Sequence, residues 1–327
     1  MMKIRWMGWV LVAGAALAGC SGGQSEVSGD GGSAAGSGAE LPLVAFAQAN
    51  SQDPWRQVFD AEMKATAATH DKEFRFELQD AQDDANKQIG LIETYLVKSP
   101  KVLLVSPCEV AVTMAVETAY DRGIPVILLD RAIESEKYTC WIGGDNEQIG
   151  RAAGKFMGEK LGGKGTVLMV QGLAGATPTE QRRNGFLEAI KEFPGVTVIE
   201  GDFCDYQRQK ARSYMETFLQ SGKAFDAVYA HNDEMAIGAY LALEASGVKG
   251  KAIVGIDACQ QEIVDYIRAG KVTATFKYPT PGAKGIEVAA ALLKGETPKE
   301  KKIVLETEIV TAENADEFLA KNTNLAK

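Results

Sequence analysis

From residue 43 onward one unit recurs: a short apolar run, an amphipathic stretch of helical length, then another apolar run. Leu43 to Ala47 reads as a buried strand. Asp53 then caps a helix with Pro54 at its first position, and Trp55 to His70 follows with helical spacing. Phe74, Phe76 and Leu78 alternate with polar neighbours as a strand does. Asn86 to Lys98 carries Ile89, Ile92 and Leu96 on one helical face. Strand Lys101 to Val105, helix Glu109 to Arg122 and strand Ile124 to Leu129 complete the first run. A second run starts with a helix over Glu147 to Leu161. Strands follow at Thr166–Val170, Val196–Ile199, Ala227–Ala230, Ala252–Ile256 and Val272–Phe276. Helices separate them at Thr179–Phe193, Gln207–Gln220, from a cap at Asn232 or Asp233 through Ala245, and at Gln260–Ala269. Strands regularly spaced by helices make parallel sheets covered on both faces. Two such runs predict an α/β protein with two doubly wound parallel-sheet lobes.

In open parallel sheets, ligands bind beyond the carboxyl ends of the strands. That rule selects Gln48, Asn50, Asp53, Trp55 and Arg56 after the first strand, Ser106 after the third, and Asp130 and Arg131 after the fourth. In the second run it selects Gln171, Asp202 and Phe203, then His231, Asn232 and Asp233, then Asp257. Taken singly, Asp130-Arg131 is a structural ion pair, Trp55 a helix staple, Asn232 an N-cap and Phe203 a core residue. Together at one rim they supply acceptors, bidentate donors and flat apolar faces, the groups that hold a polyol.

The first forty residues have a different character. Lys3 and Arg5 precede an apolar stretch, Val10 to Ala18, that is short for a bilayer span. Leu17-Ala18-Gly19-Cys20 resembles the bacterial lipobox, so residues 1–20 are expected to be a lipoprotein signal with Cys20 lipidated. Residues 21–40 are rich in Gly, Ser and Ala and read as a flexible tether. The expected location is the periplasm or cell surface, with the membrane reached through the lipid alone.

Several function classes lose support. The net charge of −9 argues against nucleic acid, which wants clustered Lys and Arg. The dinucleotide fingerprint G-x-G-x-x-G, the Walker loop and H-E-x-x-H are absent, and no G-x-S-x-G lies in the strand–helix body from residue 43 onward. With two histidines and no C-x-x-C pair, neither a metal site nor a cofactor is expected.

The segments Leu-Asp-Arg-Ala-Ile (129–133), Gln-Gly-Leu-Ala-Gly-Ala (171–176), Arg-Arg-Asn-Gly-Phe (182–186), Gly-Asp-Phe (201–203), His-Asn-Asp-Glu-Met-Ala-Ile-Gly-Ala (231–239) and Gly-Ile-Asp (255–257) resemble the periplasmic sugar-binding proteins of ABC importers, of the ribose- and galactose-binding type. The likeness covers residues 42 to 311. Phe46 to Arg56 with Tyr229 to Asp233 is most similar to the galactofuranose-binding branch. The resemblance implies an N-terminal lobe (41–144 plus 277–305) and a C-terminal lobe (145–276 plus 306–327), joined by three hinge strands near Gly144, Lys277 and Glu306. It implies that Trp55 and Phe203 sandwich a sugar ring. Asp130 and Arg131 would grip hydroxyls from one lobe, Asn232 and Asp257 from the other, with Arg182 reaching in from its helix. Arg56 matches the tryptophan-arginine pair of the galactofuranose branch. Three positions depart from the family pattern: Glu180 replaces a contacting arginine, Ser106 an asparagine, and Lys277 a glutamine or acid.

The function so implied is monosaccharide capture between two closing lobes and delivery, by a monomer, to an ABC transporter permease. Signalling through a chemoreceptor or sensor kinase, or binding of a small polyol such as autoinducer-2, are the alternatives. A repressor of the lactose-repressor type shares the lobes but needs an N-terminal helix-turn-helix, and here that place holds a signal and a leash. With Cys20 lipidated, Cys108, Cys140, Cys204 and Cys259 remain. An even number in an exported chain permits two disulfides. Cys108–Cys140 in the first lobe and Cys204–Cys259 in the second are the expected pairs.

Overall fold

The computed structural model describes residues 40–326. The expected signal segment with Cys20, and the expected tether apart from Glu40, lie outside the described residues. Leu43–Gln48 (β1) is buried along its whole length, as a strand covered on both faces must be. At its carboxyl end Asp53 accepts a hydrogen bond from the Arg56 amide at 2.8 Å, and Pro54 opens Pro54–Ala68 (α1). Arg75–Asp80 (β2), Ala85–Lys98 (α2), Val102–Val105 (β3), Thr113–Asp121 (α3), Val126–Leu129 (β4) and Cys140–Gly144 (β5) follow. The second series is Asn146–Lys160 (α4), Lys164–Gln171 (β6), Thr177–Ile190 (α5), Gly195–Phe203 (β7), Arg208–Gln220 (α6), Ala227–Ala230 (β8), Asp233–Ala245 (α7), Ala252–Asp257 (β9), Gln261–Arg268 (α8) and Ala274–Lys277 (β10). Gly282–Leu293 (α9), Lys302–Leu305 (β11), Ile309–Thr311 (β12) and Ala315–Lys321 (α10) close the described chain.

The strands form two six-stranded sheets of the same order, β2-β1-β3-β4-β5-β11 and β7-β6-β8-β9-β10-β12. The first is parallel throughout. In the second only β12 runs antiparallel. Each sheet with its helices is called a lobe below. The chain passes between the sheets at Gly144–Asp145, after Lys277, and between Leu305 and Ile309. In a 2-1-3-4-5 strand order, the loops leaving the first and third strands diverge and open a crevice at the strands' carboxyl ends. Here those are the loops after β1 and β3 in one lobe, and after β6 and β8 in the other.

Two expectations are corrected. Strand β7 runs on through Phe203 at the sheet edge, so Phe203 is part of a strand and not of a cleft loop; its side chain is 50% exposed. The four cysteines of the described residues are all free and buried. Topology forbids the expected pairs. Cys140 opens β5 in register with Ile127, while Cys108 lies beyond the far end of β3. Cys204 follows β7 and Cys259 follows β9, and β6 and β8 lie between those strands. Three strand spacings come to about 14 Å, against the roughly 4.4–6.8 Å between Cα atoms that a disulfide spans.

Helices α4 and α5 pack at backbone distance. A Cβ on Gly185 would lie 2.1 Å from the Glu147 carbonyl oxygen, and one on Gly150 would lie 2.4 Å from that of Arg182. This contact fixes the height at which α5 presents Arg182 to the crevice.

Candidate binding cleft

On the N-terminal side a buried arginine organises the floor. Arg56, on the first turn of α1, donates through Nη1 to Gln48 Oε1 (3.2 Å) and Ser106 Oγ (2.7 Å), and through Nη2 to Asp130 Oδ2 (2.5 Å). Burial works against its charge, but Asp130, Asp53 and Asp83 more than offset this, and its pKa is held above the ordinary value. Asp130 adopts a left-handed backbone, φ 67°, which Asp tolerates better than most residues. Next to it Arg131 donates through Nη1 to the carbonyl of Cys108 at 2.6 Å. Among the described residues its Nη2 has no hydrogen-bond acceptor.

On the C-terminal side Arg182 is anchored by Nε to Asn146 Oδ1 (2.8 Å) and by Nη1 to the His231 carbonyl (2.5 Å). Its Nη2 stands 3.9 Å from Asp257 Oδ1. Asn232 caps α7 by accepting from the Met235 amide, and it donates to the Tyr206 carbonyl at 3.1 Å. Asp257 ends β9 with φ 133°. Its carboxylate has no hydrogen-bond donor among the described residues. Burial is the largest cause pushing its pKa well up, Asp233, Asp53 and Asp130 add to it, and Arg182 opposes them. Asp233 supports this turn from below: Oδ2 accepts from the Ala258 amide (2.7 Å) and Oδ1 from the Thr275 hydroxyl (2.6 Å).

Tyr278, just after the second crossing between sheets, ties the two sides together. Its hydroxyl donates to Asp130 Oδ1 at 2.8 Å and accepts from Asn146 Nδ2 at 3.3 Å. Its carbonyl accepts from Trp55 Nε1 at 2.7 Å, and its amide donates to the Asp257 carbonyl at 3.1 Å. The Trp55 and Tyr278 rings stack with centroids 5.3 Å apart. Trp55, Arg56, Asp130, Arg131, Arg182, Tyr206, Asn232, Asp257 and Tyr278 line one cavity, where charged and aromatic side chains meet.

A model described as a periplasmic binding protein domain matches residues 44–297. The chain belongs to the periplasmic binding protein family. Members of this family bind solutes, so the protein is a binding protein and not an enzyme. The ribose import binding protein of Haemophilus influenzae is 33% identical over 241 residues, covering 73% of this chain and 81% of that one. The galactofuranose-binding protein of Escherichia coli is 30% identical over 295 residues, covering 86% and 92%. Among solved structures, the fructose-binding periplasmic domain of a hybrid two-component system superposes with a TM-score of 0.82 at 35% identity, covering 86% of this chain and 94% of that one. The two six-stranded sheets are those of a type I periplasmic binding protein.

Against this family frame, the residues chosen from the sequence separate into three groups. Trp55, Arg56, Asp130, Arg131, Arg182, Asn232 and Asp257 border the cavity. Gln48 and Ser106 are buried one layer behind it as acceptors for Arg56, and Asn50 donates to Asp83 Oδ2 at 2.8 Å beside the outer mouth. Phe203, Glu180 and Lys277 stand outside it. Glu180 is exposed on α5. Lys277 alternates to the other face of β10 and donates to Asn322 Oδ1 at 2.8 Å. Two aromatic residues not chosen from the sequence line the cavity, Tyr206 and Tyr278. Each lies one to three residues past a strand end, so the same strand-end rule, carried slightly further, reaches both.

Proposed function

We propose that this chain is an extracytoplasmic, lipid-anchored solute-binding protein that closes its lobes over a monosaccharide or small polyol and delivers it to an ABC transporter permease. One observation carries the reading. The cleft presents a buried carboxylate without a donor (Asp257) beside guanidinium nitrogens with capacity left (Arg131 and Arg182), flanked by Trp55, Tyr206 and Tyr278. A hydroxyl both donates and accepts, so adjacent hydroxyls satisfy Asp257 and the guanidinium groups together while a ring face lies on an aromatic. The ribose- and galactofuranose-binding relatives, named for their sugars, support this ligand class. Leu17-Ala18-Gly19-Cys20 supports the anchor.

Closure expels water and leaves each buried polar group dependent on a ligand hydroxyl, so analogues lacking one hydroxyl bind much more weakly. Calorimetric titration with pentoses, hexoses and inositols, together with Trp55 fluorescence, tests the reading. No heat and no spectral change with any of them would overturn it. Incorporation of radiolabelled fatty acid that disappears in Cys20→Ala tests the anchor. A sensory role is the second reading, favoured by the 35% identity to a two-component periplasmic domain. Recovery of the sugar-loaded chain on a sensor ectodomain instead of a permease would select it.

A further inference from the structure

Tyr278 and Asp257 border both the cleft and a second, larger cavity, which Glu62, Lys277, Thr280 and Asn322 also line. The Tyr278 ring is held in place from several directions. Its hydroxyl is tied to Asp130 and Asn146, the Trp55 ring stacks on it, and the Arg182 guanidinium lies 4.7 Å from its centroid. It also lies so close to Gly144 that a Cβ there would meet its Cε2 at 2.6 Å. A ring fixed in this way is a wall and not a swinging gate.

We propose that Tyr278 determines ligand size, its ring being the partition that separates the cleft from the rear cavity and restricts the cleft to a single sugar ring. The proposal rests on the sugar-binding reading above and adds to it a residue and a size limit. With the ring gone, the cleft would run into the larger space behind it, and that space is lined by further donors and acceptors suited to a second ring. Asp130 Oδ1 would also lose its partner and become available to a ligand hydroxyl.

The test is calorimetric titration of the full-length chain with D-ribose, L-arabinose, D-galactose and D-fructose, and with maltose, lactose and sucrose. The wild type is expected to bind a monosaccharide at least roughly a hundredfold more tightly than any disaccharide, and Tyr278→Ala to narrow that ratio to about tenfold or less. Tyr278→Phe keeps the wall and loses the bond to Asp130, so it is expected to bind more weakly at the wild-type ratio. A folded Tyr278→Ala with the wild-type ratio overturns the proposal, and so does a Tyr278→Phe that admits disaccharides. If Tyr278→Ala does not melt cooperatively, Tyr278→Leu takes its place under the same criterion. A wild type that binds no sugar overturns the sugar reading, and the partition with it. A wild type that binds sugar, with ratios unmoved by the variants, overturns the partition alone.

Discussion

Arg182 Nη2 stands 3.9 Å from Asp257 Oδ1, with both side chains buried. The gap exceeds a hydrogen bond, so Asp257 carries the cost of burial with only partial compensation. A carboxyl raised in this way holds a proton in the folded state at a pH where the unfolded chain has released it, so its contribution to stability falls as pH rises above the ordinary value of 3.8. Asp257→Asn removes that fall. Its stability relative to wild type is expected to rise with pH from that value upward, read as urea midpoints across the range. A constant difference would contradict the burial argument. Asp257→Ala also removes the free acceptor, and sugar affinity should drop roughly ten- to a hundredfold.

Arg56 is a structural counterpart. It satisfies Gln48, Ser106 and Asp130 at once, and removing it leaves the Asp130 carboxylate buried beside no equivalent donor. Arg56→Ala is expected to lose about 3–5 kcal/mol in chemical denaturation. Arg56→Lys should recover little, because a single ammonium cannot reproduce the planar fork that reaches three partners. If Arg56→Met combined with Asp130→Asn were no more stable than Arg56→Ala, the unpaired charge would not be the cause.

Glycines give a prediction of opposite signs. Gly185 faces the Glu147 carbonyl oxygen with room for a hydrogen only, whereas a Cβ on Gly90, within α2, would meet nothing within 4 Å. Gly185→Ala should destabilise by about 1–3 kcal/mol. It should also weaken sugar binding, since it pushes α5, and Arg182 with it, away from α4. Gly90→Ala should stabilise by about 0.5–1 kcal/mol and leave affinity unchanged. Thermal melts and titration of both variants check the pair.

The strand–helix alternation was legible because parallel strands covered on both faces must be nearly all apolar, as β1, β3, β4 and β8 are. Asp130, Arg131 and Asp257 were legible because they sit directly at strand ends, whereas Arg182, on α5, was reached only through the family resemblance. Elements beside the chain's crossings between the sheets lacked that signal. Strand β5 contains Cys-Trp-Ile-Gly-Gly, β11 alternates exposed and half-buried residues, and α9 opens on glycine with no side-chain cap. Lys277 was named where Tyr278 lines the cavity, a difference of one residue, which reverses the face a side chain takes. The disulfide expectation failed for a different reason: cysteine number says nothing about which strands lie between.

The four free cysteines lead to a direct measurement. Burial raises the thiol of Cys140 to about 11 and those of Cys108 and Cys204 to about 12. Such thiols are poor nucleophiles at neutral pH. A soluble domain lacking Cys20 should therefore react slowly with a thiol reagent when native. In denaturant without reductant, all four cysteines that follow the tether should react. A denatured count of two or none would restore a disulfide.

The two aromatics near the end of β7 separate sequence proximity from placement. Phe203 belongs to the edge strand and is 50% exposed. Two and three residues on, Asp205 and Tyr206 both take left-handed backbone angles, φ 52° and 61°. This turns the chain inward, and non-glycine residues rarely do so in succession. Tyr206 then reaches the cavity, where its hydroxyl lies 2.6 Å from that of Thr179, its carbonyl accepts from Asn232, and its ring lies within 5.9 Å of the Arg182 guanidinium. A sugar ring resting on that face would lose stacking and a cavity wall together in Tyr206→Ala. The expected loss is roughly tenfold or more in affinity, about 1.4 kcal/mol. Phe203→Ala should change affinity by less than about threefold, well under that step. Titration of both variants with the same sugar decides the matter. A larger loss at Phe203 than at Tyr206 would mean that the ligand meets the C-terminal lobe at its edge strand and not at this turn.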